Sequence, residues 1–131
     1  MAKLIAVVND YPDFLALMQD LLSEDGYRVA TAYEEGRVTA KLRELHPDLL
    51  VLDLVLEQGD SGWEILEEVR RDPELATTPV ILCTADTFSV KARAADLRRH
   101  LDVSVLAKPF HIADMRALVR RLAGPADDAR R

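Results

Sequence analysis

Leu49-Leu50-Val51-Leu52 is an apolar run with no polar face, and Asp53 follows it directly. Side chains alternate faces along a strand, so a run without a polar position suits a strand buried on both sides, as in a parallel sheet covered by helices. A carboxylate left unpaired within such a run would be very costly to bury. Asp53 is therefore expected where the strand ends, at a rim that water, a metal or a cation can reach. The rest of the chain reads as a frame that holds this carboxylate and gives it partners.

The flanking sequence repeats one pattern. Leu4 to Val8 is a strand-like run that ends in Asn9-Asp10, and Pro12 suits the first turn of the helix that follows. Phe14, Leu17, Met18, Leu21 and Leu22 recur at helical spacing until Gly26. Tyr27, Val29, Thr31 and Tyr33 alternate as a half-exposed strand would. Val38, Leu42 and Leu45 mark a second helix, closed by His46-Pro47, and the Asp53 strand comes next. Residues 57–61 are a polar loop. Trp63, Ile65, Leu66 and Val69 give a third helix, ended by Asp72-Pro73. Val80 to Cys83 is a fourth strand ending at Thr84, and residues 89–99 form a helix with a weak stripe of Phe88, Ala92 and Ala95. Val103 to Ala107 is a fifth strand ending at Lys108-Pro109, and Ile112, Met115, Leu118, Val119 and Leu122 mark the last helix. Strand then helix, five times over, argues for an α/β fold with a parallel sheet and helices on both faces. Residues 1–123 are read as one domain and residues 124–131 as a disordered tail.

Charge narrows the partners. With a net charge of -6, the chain lacks the basic footprint that nucleic acid requires, and Arg98-Arg99-His100 is the one local exception. The single cysteine, Cys83, lies in an apolar run and reads as a core residue. No run is long enough for a membrane span or a signal peptide, so a cytoplasmic protein with no membrane partner is expected. His46 and His111 have no metal-ligand partner at useful spacing and read as surface residues.

In an open parallel sheet, ligands bind beyond the C-terminal strand ends. Here strand one ends in Asn9-Asp10, strand three in Asp53, strand four in Thr84 and strand five in Lys108. Two carboxylates repel a phosphate on their own, but they can hold Mg2+, which prefers oxygen ligands and keeps several waters. Lys108 can then neutralise one phosphoryl oxygen, and the Thr84 hydroxyl can donate to another. That is a site for phosphoryl transfer, with Asp53 as nucleophile and an aspartyl phosphate as product.

The landmarks IAVVND, PDLLVLDL, PVILCTA and VLAKPF, in this order, resemble the receiver domains of bacterial two-component response regulators. The resemblance runs from about Lys3 to Ala123. It implies the flavodoxin-like doubly wound five-stranded parallel sheet, order 2-1-3-4-5. It implies that Asp53 is the phosphoacceptor, that Thr84 and Lys108 contact the phosphoryl group, and that Mg2+ is held by Asp10, Asp53 and the backbone carbonyl of Val55. It further implies a cis bond between Lys108 and Pro109. The partners implied are a sensor histidine kinase or histidine phosphotransfer protein and a downstream protein the sequence does not name. Such a module is not an enzyme, although it assists its own Mg-dependent phosphorylation and dephosphorylation.

The chain departs from the family pattern in three places. Asn9 stands where a second acid is usual; its amide keeps an oxygen but loses a charge, so it is expected to ligate Mg2+ weakly or through water. Glu57 replaces a proline after Asp53, and Gly62 arrives one residue late. Val105 stands where an aromatic ring usually swings inward together with the threonine, so the switch region is expected to be Thr84 and its loop, with Val105 offering no ring. The leading expectation is a stand-alone receiver that switches partner binding on phosphorylation. The alternative is a phosphate-independent receiver-like interaction module, and a homodimer through the last two helices is left open. A flavin carrier would need a Ser/Thr/Gly-rich loop after strand one, and a haloacid-dehalogenase-type phosphatase would need an acid at position 55. The sequence offers Asn9-Asp10-Tyr11-Pro12 and Val55 instead.

Overall fold

The computed structural model describes residues 2–31, 36–54, 62–85, 87–93, 95 and 103–126. Its strands are β1 (Leu4–Val8), β2 (Arg28–Thr31), β3 (Leu49–Leu52), β4 (Val80–Thr84) and β5 (Val103–Ala107), and its helices are α1 (Pro12–Glu24), α2 (Val38–Leu45), α3 (Gly62–Arg71), α4 (Thr87–Ala92) and α5 (Ile112–Ala123). The sheet order is β2-β1-β3-β4-β5, and every neighbouring pair is parallel.

The apolar runs are split strictly by strand periodicity. Ala6, Val8, Leu50, Leu52, Val80 and Leu82 face the layer of α2 and α3, where they meet Val38, Leu42, Ile65, Leu66 and Val69. Their sequence neighbours Ile5, Val7, Leu49, Val51, Ile81 and Cys83 face the opposite layer, with Met18, Leu22, Met115 and Val119 of α1 and α5. Two cores on either side of one sheet explain why β1 and β3 carry no polar position and β4 none before its last residue, Thr84. Burial pushes the Cys83 thiol up to about 12, which suits an inert core residue.

Several element boundaries differ from the sequence expectation. Edge strand β2 ends at Thr31, with only Val29 and Ala30 half-buried, and Tyr33 lies outside the described residues. Helix α4 begins at Thr87 rather than at residue 89, and Phe88 is 82% exposed instead of leading an apolar stripe. The basic cluster at residues 98–100 and the acidic loop at residues 57–60 lie outside the described residues. At the C-terminus the folded body continues past Ala123. Ala126 packs against the α1–α5 core, and its carbonyl accepts the Lys3 N–H at 2.6 Å. Gly124, at φ +83, turns the chain toward that contact, and its carbonyl accepts the Tyr27 hydroxyl at 2.6 Å. Residues 124–126 therefore belong to the domain, and residues 127–131 lie outside the described residues.

Candidate functional site

Register decides which side chains meet. Val8 pairs with Leu52, so the residues that leave β1 and β3 come out side by side, and the Asp53 N–H donates to the Val8 carbonyl at 3.2 Å. Thr84 pairs with Ala107, and the Lys108 N–H donates to the Thr84 carbonyl at 2.8 Å. Four strand ends thus share one rim. This is the geometry that the fold class requires for a ligand site.

Asp53 is buried to 8% exposure, and its Oδ2 is held by two donors. The Lys108 ammonium donates to it at 2.7 Å, and the Asn9 side-chain amide donates at 3.0 Å. Asn9 is itself 2% exposed. Its Oδ1 accepts the Tyr11 N–H at 2.7 Å, an Asx turn that starts the chain into α1, where Pro12 occupies the first helical turn. Because the oxygen is taken by Tyr11, the NH2 must face Asp53. Asn9 therefore acts as a hydrogen-bond donor to the Asp53 carboxylate. Thr84 is fully buried at the end of β4, and Asp10 is half-buried beside Asn9. Val105 is 40% exposed near the middle of β5, and the carbonyl of Val55 lies outside the described residues. The Lys108–Pro109 peptide bond is cis.

Two close contacts at the site are not legible in the sequence pattern. Gly62 opens α3 directly beneath the residue that carries the carboxylate: a Cβ there would stand 2.3 Å from the Asp53 carbonyl oxygen and 2.4 Å from the Leu54 Cα. The Gly62 N–H donates to the Leu54 carbonyl at 3.2 Å. Phe14, read as one member of an apolar stripe, places its ring under the Lys108 ammonium, 4.5 Å from centroid to Nζ. The sequence signal for it is an aromatic in the first turn of the helix that leaves the Asn9-Asp10 strand end. Trp63, at the start of α3, is partly buried against the core and carries the Arg93 guanidinium over its ring at 4.7 Å.

The donor set at the rim is chemically suited to a magnesium ion. Asp10 and Asp53 supply hard carboxylate oxygens, and Mg2+ needs only one or two of these because it keeps its waters. Among the described residues, no cluster of three or more histidine, cysteine, aspartate or glutamate side chains forms a richer cage. Nor is any helix among the described residues long and apolar enough to cross a membrane.

A doubly wound α/β domain with a buried aspartate paired to a partly buried lysine at its ligand-facing rim is the class of protein that fold and site define. The chain belongs to the response regulator receiver domain family, whose model matches residues 5–120. It is therefore a receiver module of two-component signalling, a kind of domain that is generally a signalling unit rather than an enzyme. It is 35% identical to the transcriptional regulatory protein TrcR of Mycobacterium tuberculosis over 97% of this chain and 50% of that one. It is 28% identical to the polar-differentiation response regulator DivK of Brucella ovis over 96% of this chain and all of that one. The chain thus spans about half the length of TrcR. Among solved structures, Vibrio cholerae CheY4 superimposes with a TM-score of 0.81 at 20% identity, covering 93% of this chain and 99% of that one. The receiver domain of the sensor histidine kinase PA1611 from Pseudomonas aeruginosa has a magnesium ion coordinated in its active site cleft. It superimposes with a TM-score of 0.78 at 22% identity, covering 95% and 99% of the two chains.

Proposed function

We propose that Asp53 accepts a phosphoryl group from the phosphohistidine of a sensor histidine kinase or a histidine phosphotransfer protein, and that the aspartyl phosphate switches the binding of a downstream protein. The observation that carries this reading is the Asp53 carboxylate, nearly buried and paired with Lys108 at 2.7 Å on the rim where β1, β3, β4 and β5 end. A buried strand-end acid held this way is an oriented nucleophile with a cation already beside it. In the transfer, a carboxylate oxygen of Asp53 forms the bond to phosphorus. The bond from phosphorus to the imidazole nitrogen breaks, and its electron pair stays on the ring. Lys108 then passes its ammonium to a phosphoryl oxygen, and the Thr84 hydroxyl donates to another.

Asp10, Asp53 and the Val55 carbonyl would hold Mg2+, which when bound supplies charge neutralisation at the phosphoryl oxygens. Asn9 contributes by orienting Asp53. The assembly of Asp53, Thr84 and Lys108 on one rim supports this reading over a phosphate-independent module. The test is incubation with acetyl phosphate and Mg2+ followed by intact mass measurement. One phosphoryl group should be gained, and none in Asp53→Asn. Equal labelling of the variant, or none of the unaltered chain, would overturn the assignment.

A further inference from the structure

Lys108 is held by more than Asp53. Its ammonium bonds the carboxylate at 2.7 Å and also lies 4.5 Å from the centroid of the Phe14 ring on α1. Phe14 is in turn fixed by Phe110, whose ring meets it edge-on at 6.4 Å and 89°. Both rings and Lys108 line a groove of about 640 Å³ with Tyr11, Leu17 and Ile112, so the lysine stem has open space beside it.

A lysine side chain has four rotatable bonds and loses considerable freedom when it is held in one place. The proposed reaction consumes its partner: once Asp53 carries a phosphoryl group, the resting carboxylate–ammonium pair no longer exists in its present form. Something else must keep the ammonium in the pocket as it changes partners. An aromatic face does this without competing for the proton, because its attraction for a cation has no fixed acceptor point.

We infer that Phe14 is a positioning residue for Lys108, retaining the ammonium at the site while Asp53 is phosphorylated. The inference rests on Asp53 being the phosphoacceptor. Phe14→Leu keeps the apolar bulk and removes the face, so phosphorylation by acetyl phosphate should slow, and beryllofluoride binding should weaken, each by about three- to tenfold. Phe14→Tyr keeps the face and should stay within about twofold. Binding of Mg2+ alone, read by Trp63 fluorescence, should not change in either variant. In a Lys108→Met background the effect of Phe14→Leu on beryllofluoride binding should vanish, which a merely structural loss would not do.

One readout needs no phosphorylation. The Lys108 ε-methylene protons should show an upfield ring-current shift that Phe14→Leu abolishes and Phe14→Tyr retains. Absence of that shift, or a Phe14→Leu penalty that persists without Lys108, overturns the inference. If the unaltered chain shows the shift but takes neither beryllofluoride nor a phosphoryl group, the phosphoacceptor reading fails, and with it the role of Phe14 in transfer, while the ring's hold on Lys108 stands. Should Phe14→Leu not fold, Phe110→Leu releases the ring's edge support and should give a smaller loss in the same direction; no loss there counts against the inference.

Discussion

Replacing Asn9 by aspartate changes one atom of the pocket from a donor into a charge, and the two ends of the side chain respond in opposite ways. The Oδ1 side is undisturbed, because a carboxylate oxygen can still accept the Tyr11 N–H now made at 2.7 Å. The Asp53 side is reversed. The 3.0 Å bond from the amide to Oδ2 is lost, and a hydrogen bond to a charged group contributes roughly 1.5–3 kcal/mol. In its place two unit charges about 4 Å apart repel by about 4 kcal/mol at an effective dielectric constant near 20. Lys108, 2.7 Å from the same oxygen, offsets part of that. The expected net loss of metal-free stability is roughly 2–4 kcal/mol, or about 10 °C in Tm for a domain of this size. The same added charge attracts a dication, so the Mg2+ Kd should tighten by about tenfold or more, at least about 1.4 kcal/mol. Thermal melts with and without Mg2+ at neutral pH and low salt, with a Trp63 fluorescence titration, measure both quantities. The metal should restore more stability to the variant than to the unaltered chain. A metal-free Tm unchanged within about 2 °C, or an affinity changed by less than about threefold, would refute the assignment of Asn9 as a donor that replaces charge.

Gly62→Ala should cost at least about 2–3 kcal/mol in urea unfolding, because the new methyl meets backbone that has no flexible side chain to give way. A loss below about 0.5 kcal/mol would show that α3 is not pressed against the Asp53 carbonyl. The Arg43 guanidinium, whose Nε donates to Asp72 at 2.8 Å, holds the Asp72 carboxyl below the ordinary carboxylate range, aided by the Glu74 N–H. A depressed folded-state pKa stabilises above the unfolded value (about 3.9), and that contribution is lost as pH falls through the folded value. Arg43→Met should therefore lower Tm at neutral pH, and the two proteins should converge in acid. Melting curves that stay parallel down the acid limb would contradict the pair's role in joining α2 to the end of α3.

The sheet was legible where burial leaves no choice. β1, β3 and β4 are buried on both faces, so an uninterrupted apolar run signals each of them, and the abrupt polar residue marks the strand end. Edge strand β2 has a half-exposed pattern, and its end was correspondingly harder to place. The meeting of Asp53 and Lys108 could be anticipated because topology alone brings strand ends to one rim. The orientation of Asn9 could not, because it depends on which end of an amide a backbone N–H two residues away captures. The close approach at Gly62 and the ring contact of Phe14 were opaque for a related reason. A close approach between backbones, or between a ring and an ammonium, is a matter of a few tenths of an ångström. Periodicity carries no such information.

How a signal would leave this pocket depends on which parts are free to respond. Val105 is in register with Leu82, is 40% exposed, and has neither the reach nor the ring to fill space vacated by a moving threonine. Thr84 is fully enclosed at the end of β4, in a close-packed interior that resists larger displacements of the side chain. Lys108 is the contact with room to move, and its ammonium is shared between Asp53 and the Phe14–Phe110 bracket. A ligand shifts an equilibrium only by its differential interaction with the two states. On the proposed reading, part of that difference falls on one ammonium and the aromatic surface beside it, so phosphorylation of Asp53 should be felt on the side of the molecule where α1 meets α5.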